Sequence, residues 1–252
     1  MYNYTVIIII NIININKYIH TYKSMEELEK YLKKNNLYKS AVVDKFRIFL
    51  SALSEYNEKF NLTAITDEKE IEIKHFIDSL KGSEYTADKN LDIGSGAGFP
   101  GIPLAIVNED KQFTLADSLK KRIEFLEEVK RRCGLSNVEA VHTRAEDIRK
   151  DNKYDLVTAR AVAPLNILCE YCLPFVKIGG LMMAYKGKKA EEETDAAEKA
   201  ISILGGKIKK IEKYTLDVSG EENERSLIII EKVKPTPEKY PRGGNKPRLK
   251  PL

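Results

Sequence analysis

The sequence predicts an α/β protein: a seven-stranded, mostly parallel, doubly wound sheet with an antiparallel last strand, preceded by a small N-terminal helical subdomain. Three features carry that prediction. Between residues 25 and 80 apolar residues recur at three- and four-residue spacing, the period of helices with one buried face. From residue 89 onward short apolar runs alternate with helical stretches, as in strand–helix units. The runs are continuously apolar, "LIII" at 227–230 most clearly, which suits strands covered on both faces.

Taken in order, "MEELEKYLKKNNLY" (25–38) reads as a short helix, with Ser24 and Glu27 forming a capping box. Residues 41–60 form a stronger one, in which Val42, Val43, Phe46, Phe49, Leu50, Leu53, Tyr56 and Phe60 share a face. "NLTAITD" interrupts the period, and Asp67 with Glu70 can cap a third helix that runs to Leu80. Strands are predicted near 89–93, 112–116, 138–142, 155–159, 180–185, 207–215 and 226–232, and helices near 101–107, 119–133, 165–174 and 189–204. The connection Leu216–Arg225 is too short for a crossover of roughly a dozen residues or more, so the last two strands form an antiparallel hairpin.

The expected divisions are an atypical leader over 1–23, the helical subdomain over 24–86, the α/β domain over 87–233 and a basic tail over 234–252. The leader holds eight Ile and four Asn and is expected to be disordered, with the functional start at Met25. Its apolar run is shorter than the ~20 residues of a membrane span, and it lacks a signal peptide's basic start and cleavage site. From Lys234 onward there are six Lys/Arg, one Glu and five Pro, which reads as a solvated tail able to meet polyanions rather than as a packed element. Net charge is +4, and 42% hydrophobic residues suffice for a sizeable core. The three cysteines, 133, 169 and 172, fit a reducing compartment. Cys169 and Cys172 are spaced C-x-x-C but have no second pair or nearby His, so they read as core residues and no metal site is expected.

The chemistry centres on "NLDIGSGAGFPGIPLAI" (90–106). A strand ends at Ile93, Gly94, Gly96 and Gly98 make a turn whose bare backbone admits a ligand at contact distance, and a helix begins. A P-loop would need G-K-[ST], which is absent; a dinucleotide loop would need Gly where Phe99 stands. The remaining pattern is D-x-G-x-G-x-G, whose Asp92 would repel a diphosphate but suits a ligand bearing an ammonium and a cationic centre. Asp117 closes the second strand, where such sheets bind a ribose diol, and "TRAED" (143–147) offers Ala145 and Glu146 to an adenine edge after the third. In that order these features point to S-adenosylmethionine.

The chain from about Met25 onward resembles the ribosomal RNA small-subunit methyltransferase G family, also called glucose-inhibited division protein B. The resemblance rests on "EKFNLTAITD" (58–67), "HFIDSL" (75–80), the glycine stretch (91–106), "LADSLKKRIEFL" (115–126), "TRAED", "TARAVAPL" (158–165), "YKG" (185–187) and "KYPRGGNKPRLKPL" (239–252). It implies a class I S-adenosylmethionine-dependent methyltransferase with a Rossmann-like sheet, modifying N7 of a guanine in the 530 loop of bacterial 16S rRNA. Carried over residue by residue, the cofactor contacts are Gly94, Phe99, Ala145, Glu146 and Arg160, with Asp92, Gly96, Gly98 and Asp117 contributing. The implied partner is 16S rRNA, in the small ribosomal subunit or an assembly intermediate, met by a monomeric cytoplasmic enzyme with no membrane partner. The leader departs from the family pattern, as does "RGGNKP" where many members are more basic.

"TARA" (158–161) stands where an exocyclic-amine methylase would carry (D/N)-P-P-(Y/F) and a pyrimidine C5 enzyme a nucleophilic Cys. Guanine N7 has a lone pair and no proton, so orientation and electrostatics suffice for its methylation. Arg160, which ends the fourth strand, is the candidate for electrostatic positioning at the reacting centre. Candidate substrate contacts are Asn61, His75, Arg144, Lys186 and Arg242, with Asp78 sharing a helix face with His75. An RNA methyltransferase of another target atom and a non-catalytic RNA-binding protein of the same fold remain as alternatives.

Overall fold

The computed structural model describes residues 25–252 apart from Asn152, so the leader and the Ser24 half of the first capping box lie outside the described residues. Helix α1 (Glu26–Lys34) starts at Met25, whose side chain is buried. Helix α2 (Ser40–Phe60) carries Val42, Val43, Phe46, Phe49, Leu50 and Leu53 on its buried face and ends at Asn61 in the left-handed conformation. Asp67 caps the next helix by accepting from the Glu70 amide at 2.9 Å.

That helix, α3, is not regular. An α-turn (Glu68–Ile71) passes into a π-helical stretch (Glu72–Ile77) and returns to α over Asp78–Leu80. The uniform helix expected from the apolar period is therefore widened in its middle. The π stretch falls where the Lys74 carbonyl accepts from Arg160 at 3.3 Å instead of serving the helix alone.

The sheet runs β1 (Lys89–Ile93), β2 (Gln112–Asp117), β3 (Val138–His142), β4 (Tyr154–Arg160), β5 (Val176–Gly187), β6 (Gly206–Val218) and β7 (Glu221–Lys232) in chain order. Its spatial order is β3-β2-β1-β4-β5-β7-β6. The first five strands pair in parallel, while β7 is antiparallel to both β5 and β6. The antiparallel hairpin is present, but its strands are longer than the apolar pattern indicated. Only Ser219 and Gly220 connect them, both with positive φ as a primed hairpin turn requires. Residues 221–225 pair with 214–218 all the same, although β7 runs beside β5 only as far as Arg225 opposite Gly187.

Helices α4 (Gly101–Val107), α5 (Lys120–Cys133), α6 (Leu165–Cys172) and α7 (Ala190–Ile203) cover the two faces. On one face α4 and α5 share a single core with the N-terminal helices; Phe49 of α2 lies 5.3 Å from Phe76, 5.2 Å from Phe99 and 6.4 Å from Phe125 between ring centroids. The opposite face packs α6 and α7 against Ile228 and Ile230, with Cys169 and Cys172 among them as free, buried thiols. Burial pushes both thiols above their ordinary pKa.

The C-terminal segment departs from a solvated tail. Tyr240, Pro241 and Pro247 are buried, and a short helix α8 (Lys246–Leu249) lies beside α6. Arg242 is spent there: it binds the Glu170 carboxylate through its backbone amide (2.9 Å), Nε (2.8 Å) and Nη2 (2.6 Å).

The entry to β1 depends on one buried amide. Asn90 accepts from the Ala87 amide at 3.0 Å and donates to the carbonyls of Ala87 (2.6 Å) and Gln112 (3.0 Å). Asn90→Ala strands these groups and is expected to cost about 1–3 kcal/mol, read as a lower urea midpoint at unchanged slope. An unshifted midpoint would refute the role.

Candidate active site

A cleft of about 550 Å³ opens at the C-terminal ends of β1, β2, β3 and β4. This is where an open parallel sheet places its ligands. The turn after β1 forms its floor. Gly94 and Gly96 have φ of 71° and 57°. A side chain at Gly94 would strike Val162 at 2.6 Å, whereas one at Gly96 would meet only the Gly94 carbonyl, at 3.8 Å. Both face the cleft, and the space beside Gly96 is open down to the backbone.

Two acids hold this turn. Asp117, 2% exposed at the end of β2, accepts from the Gly96 amide (2.9 Å), the Leu119 amide (2.9 Å) and Arg122 (3.1 Å), and still borders the cleft. Asp92 does not border it. Its carboxylate turns under the loop, accepting from the Gly101 amide at 3.1 Å and the Thr158 hydroxyl at 3.0 Å. Burial raises its pKa to about 6, against the pull of those two donors. The expectation that Asp92 meets a cationic ligand is thus corrected: its charge is consumed in fixing the loop. Gly98 is also structural, since a Cβ there would strike Ile102 at 2.7 Å.

At one end of the cleft stand His75, Phe99 and Arg160. The Arg160 guanidinium lies 4.8 Å from the centre of the Phe99 ring, and His75 stacks on Phe99 at 4.5 Å. Arg160 donates to Asp78 at 3.0 Å and lies 3.4 Å from His75 Nδ1, and Tyr214 donates to the other Asp78 oxygen at 2.8 Å. Nδ1 also lies 3.2 Å from the Lys74 carbonyl, which can only accept, and Nε2 faces the Thr63 hydroxyl at 2.9 Å. At the other end Ala145 and Glu146 sit on a 3₁₀ turn (Ala145–Asp147), with Arg144 beside them, 65% exposed.

Three sequence candidates stand elsewhere. Asn61 caps α2 and lines a separate cavity with Asn57 and Ile65. Lys186 donates to the Ala163 carbonyl (2.8 Å) and Glu193 (2.6 Å) and is buried there. Arg242 is bound to Glu170. Asn61 is exposed at the helix end, one of the two places the sequence leaves open for it, whereas Lys186 and Arg242 pair with Glu193 and Glu170, partners that nothing local in the sequence marks. The cleft also takes in Thr63, Ser95, Ser118, Arg122, Tyr171, Asn245 and Arg248, which the sequence reading missed. Arg122 had a signal, lying in the first turn of the helix that follows Asp117; Asn245 and Arg248 were hidden in the presumed tail.

Glycine turn, strand-end acid and seven-stranded order define a class I methyltransferase fold. Solved structures share it: TYW2 of M. jannaschii in complex with AdoMet matches with a TM-score of 0.51 at 17% identity, covering 63% of this chain and 76% of that one. NSun6 from Pyrococcus horikoshii with SFG gives 0.52 at 15% identity, covering 68% of this chain and 57% of that one. The chain belongs to the rRNA small subunit methyltransferase G family (GidB), which it matches over residues 42–225. Proteins of that name from Lactobacillus acidophilus (48% identity, 82% of this chain and 90% of the relative) and Alkaliphilus metalliredigens (46%, 83% and 90%) are similar to it.

His75 carries a pH signature. Burial first, and the Arg160 charge second, hold its pKa down to about 3. The unfolded chain takes up that proton near pH 6.5, so stability present above about 6.5 is lost as pH falls toward 3. His75→Phe is expected to make the acid limb of the stability curve shallower, and the His75 ring shifts should report a neutral imidazole down to about pH 4. A ring titrating near its ordinary value would contradict the geometry.

Proposed function

We propose that this chain transfers a methyl group from S-adenosylmethionine to N7 of a guanine in the 530 loop of 16S rRNA. It would act as a monomer in the cytoplasm, on the small subunit or an assembly intermediate. The observation that carries the reading is that the family match over 42–225 contains every residue bordering the cleft except Asn245 and Arg248.

The cleft's donor set fits the cofactor. A carboxylate has about four acceptor positions. Three donors occupy Asp117, leaving capacity for a ribose hydroxyl. Gly94 and Gly96 would let the ligand rest on backbone, Phe99 backs the turn, and Ala145 with Glu146 would meet the base edge. Bound S-adenosylmethionine supplies an electrophilic methyl group on a sulfonium. The residues' task is then orientation, because guanine N7 has no proton to remove. Arg160 is held by Asp78, the Lys74 carbonyl and the Phe99 ring, so its charge is in place before substrate arrives. Arg144, exposed at the rim, is placed to meet an RNA phosphate.

Calorimetry with S-adenosylmethionine and with NAD tests the cofactor: binding of the first alone is expected. Gly96→Ala puts a methyl group into the ligand's space. It should lose most of that affinity, while the positive φ costs about 1–2 kcal/mol of stability. Undiminished affinity would overturn the assignment.

Arg160→Ala would also leave Asp78 without its cation, a loss of about 3–5 kcal/mol for a buried pair. Arg160→Lys is therefore the informative change: the ion pair persists, but the planar fork is gone. Methyl transfer to 16S rRNA should fall strongly with the fold intact. Borohydride and aniline treatment of the methylated RNA should cut the 530 loop, and an uncut loop carrying labelled methyl would exclude N7.

A further inference from the structure

The C-terminal segment ends where the cofactor cleft needs a wall. Asn245 and Arg248 border the cleft, although 234–252 has the composition of a solvated tail. What brings them there is a buried acid. Glu170 is 1% exposed and is the one charged residue of α6, and Arg242 answers it with a backbone and two side-chain hydrogen bonds. The same guanidinium also donates to the Lys250 carbonyl at 2.9 Å, bracketing α8 between the two contacts. Arg248, on α8, donates to the Val162 carbonyl at 3.1 Å, in the loop that follows β4.

Arg248 meets one particular corner of the cleft. Tyr171, next to Glu170 on α6, also borders it; burial and the Glu146 charge raise its pKa, and Arg248 opposes them, so the three side chains share that corner. It is the end formed by the Ala145–Asp147 turn, opposite His75 and Arg160. If the cofactor lies as proposed above, its base occupies that end.

We infer that the C-terminal segment is part of the cofactor site: seated by the Arg242–Glu170 pair, it places Asn245 and Arg248 over the base end of the cleft. The inference rests on the cofactor reading. Ligand that touches the segment favours its seating, and the seated segment favours ligand by the same factor. The side chains of Asn245 and Arg248 are exposed at the rim, so their replacement leaves the core alone.

The test uses the full chain and S-adenosylhomocysteine as probe. By calorimetry, Asn245→Ala/Arg248→Ala should weaken binding by about tenfold. Arg242→Gln, which unseats the segment without touching the cleft, should weaken it comparably. In the unaltered protein, saturating probe should slow tryptic cleavage at Arg242–Gly243 and Arg248–Leu249 by about the same factor. If the unaltered chain fails to bind the probe, the cofactor reading falls. If it binds and the double variant binds equally well, or the tryptic rates do not change, the inference alone is overturned. Should Arg242→Gln fail to fold, the double variant and the cleavage rates still decide.

Discussion

The ion pair between Arg160 and Asp78 fixes where the N-terminal helices meet the sheet, and the shape of the cleft follows from it. Arg160 ends a buried strand and Asp78 sits in α3, so neither charge can retreat to water without parting two elements. Taking two charges from water is costly, and a pair of this kind contributes more to geometry than to net stability. Here the remaining donors and acceptors are also used: Tyr214 serves the second Asp78 oxygen, and the Lys74 carbonyl and the Phe99 ring take the guanidinium. The π-helical stretch contains Lys74, whose carbonyl joins that arrangement. Helices and sheet are thereby locked at the Arg160 end of the cleft, and the Phe49–Phe76–Phe99–Phe125 cluster carries the contact into the core.

Two further acids divide the work of shaping the glycine turn. Asp117 holds its tip through the Gly96 amide, and Asp92 holds its exit through the Gly101 amide. Because Asp92 keeps its proton to about pH 6 in the folded chain, it contributes stability that is fully present below its ordinary value and lost as pH rises through 6. His75 acts in the opposite sense over the same interval, so the two partly cancel near the cleft. A turn that must stay bare on the ligand side is stiffened from below.

Most of the architecture was legible because it depends on local periodicity. The strand near 89–93 and the helix near 101–107 were found to the residue, since Gly94 and Pro100 punctuate them sharply. Where the sequence misled, the cause was a partner far along the chain. β5 runs from Val176 rather than 180, and β6 and β7 reach past their apolar cores, because pairing rather than burial sets those limits. Asp92 looked like a ligand contact, yet its partners Gly101 and Thr158 lie across the loop and on the next strand. The tail was misread for a related reason: its seat is Glu170, 72 residues earlier, and the clue was a lone acid in "LNILCEYC" rather than anything in the tail.

The outer strand β6 presents Lys207, Lys209, Lys210 and Lys213 to solvent and breaks its register against β7 between Ile208 and Lys210. An unpaired strand edge is a template for another chain, and this one lies beside the strand that carries the continuous apolar run Leu227–Ile230. Repelling lysines and a kinked ladder make it a poor template. The sheet can therefore hold four consecutive fully buried residues at 227–230 without inviting the edge-to-edge assembly that leads to aggregates.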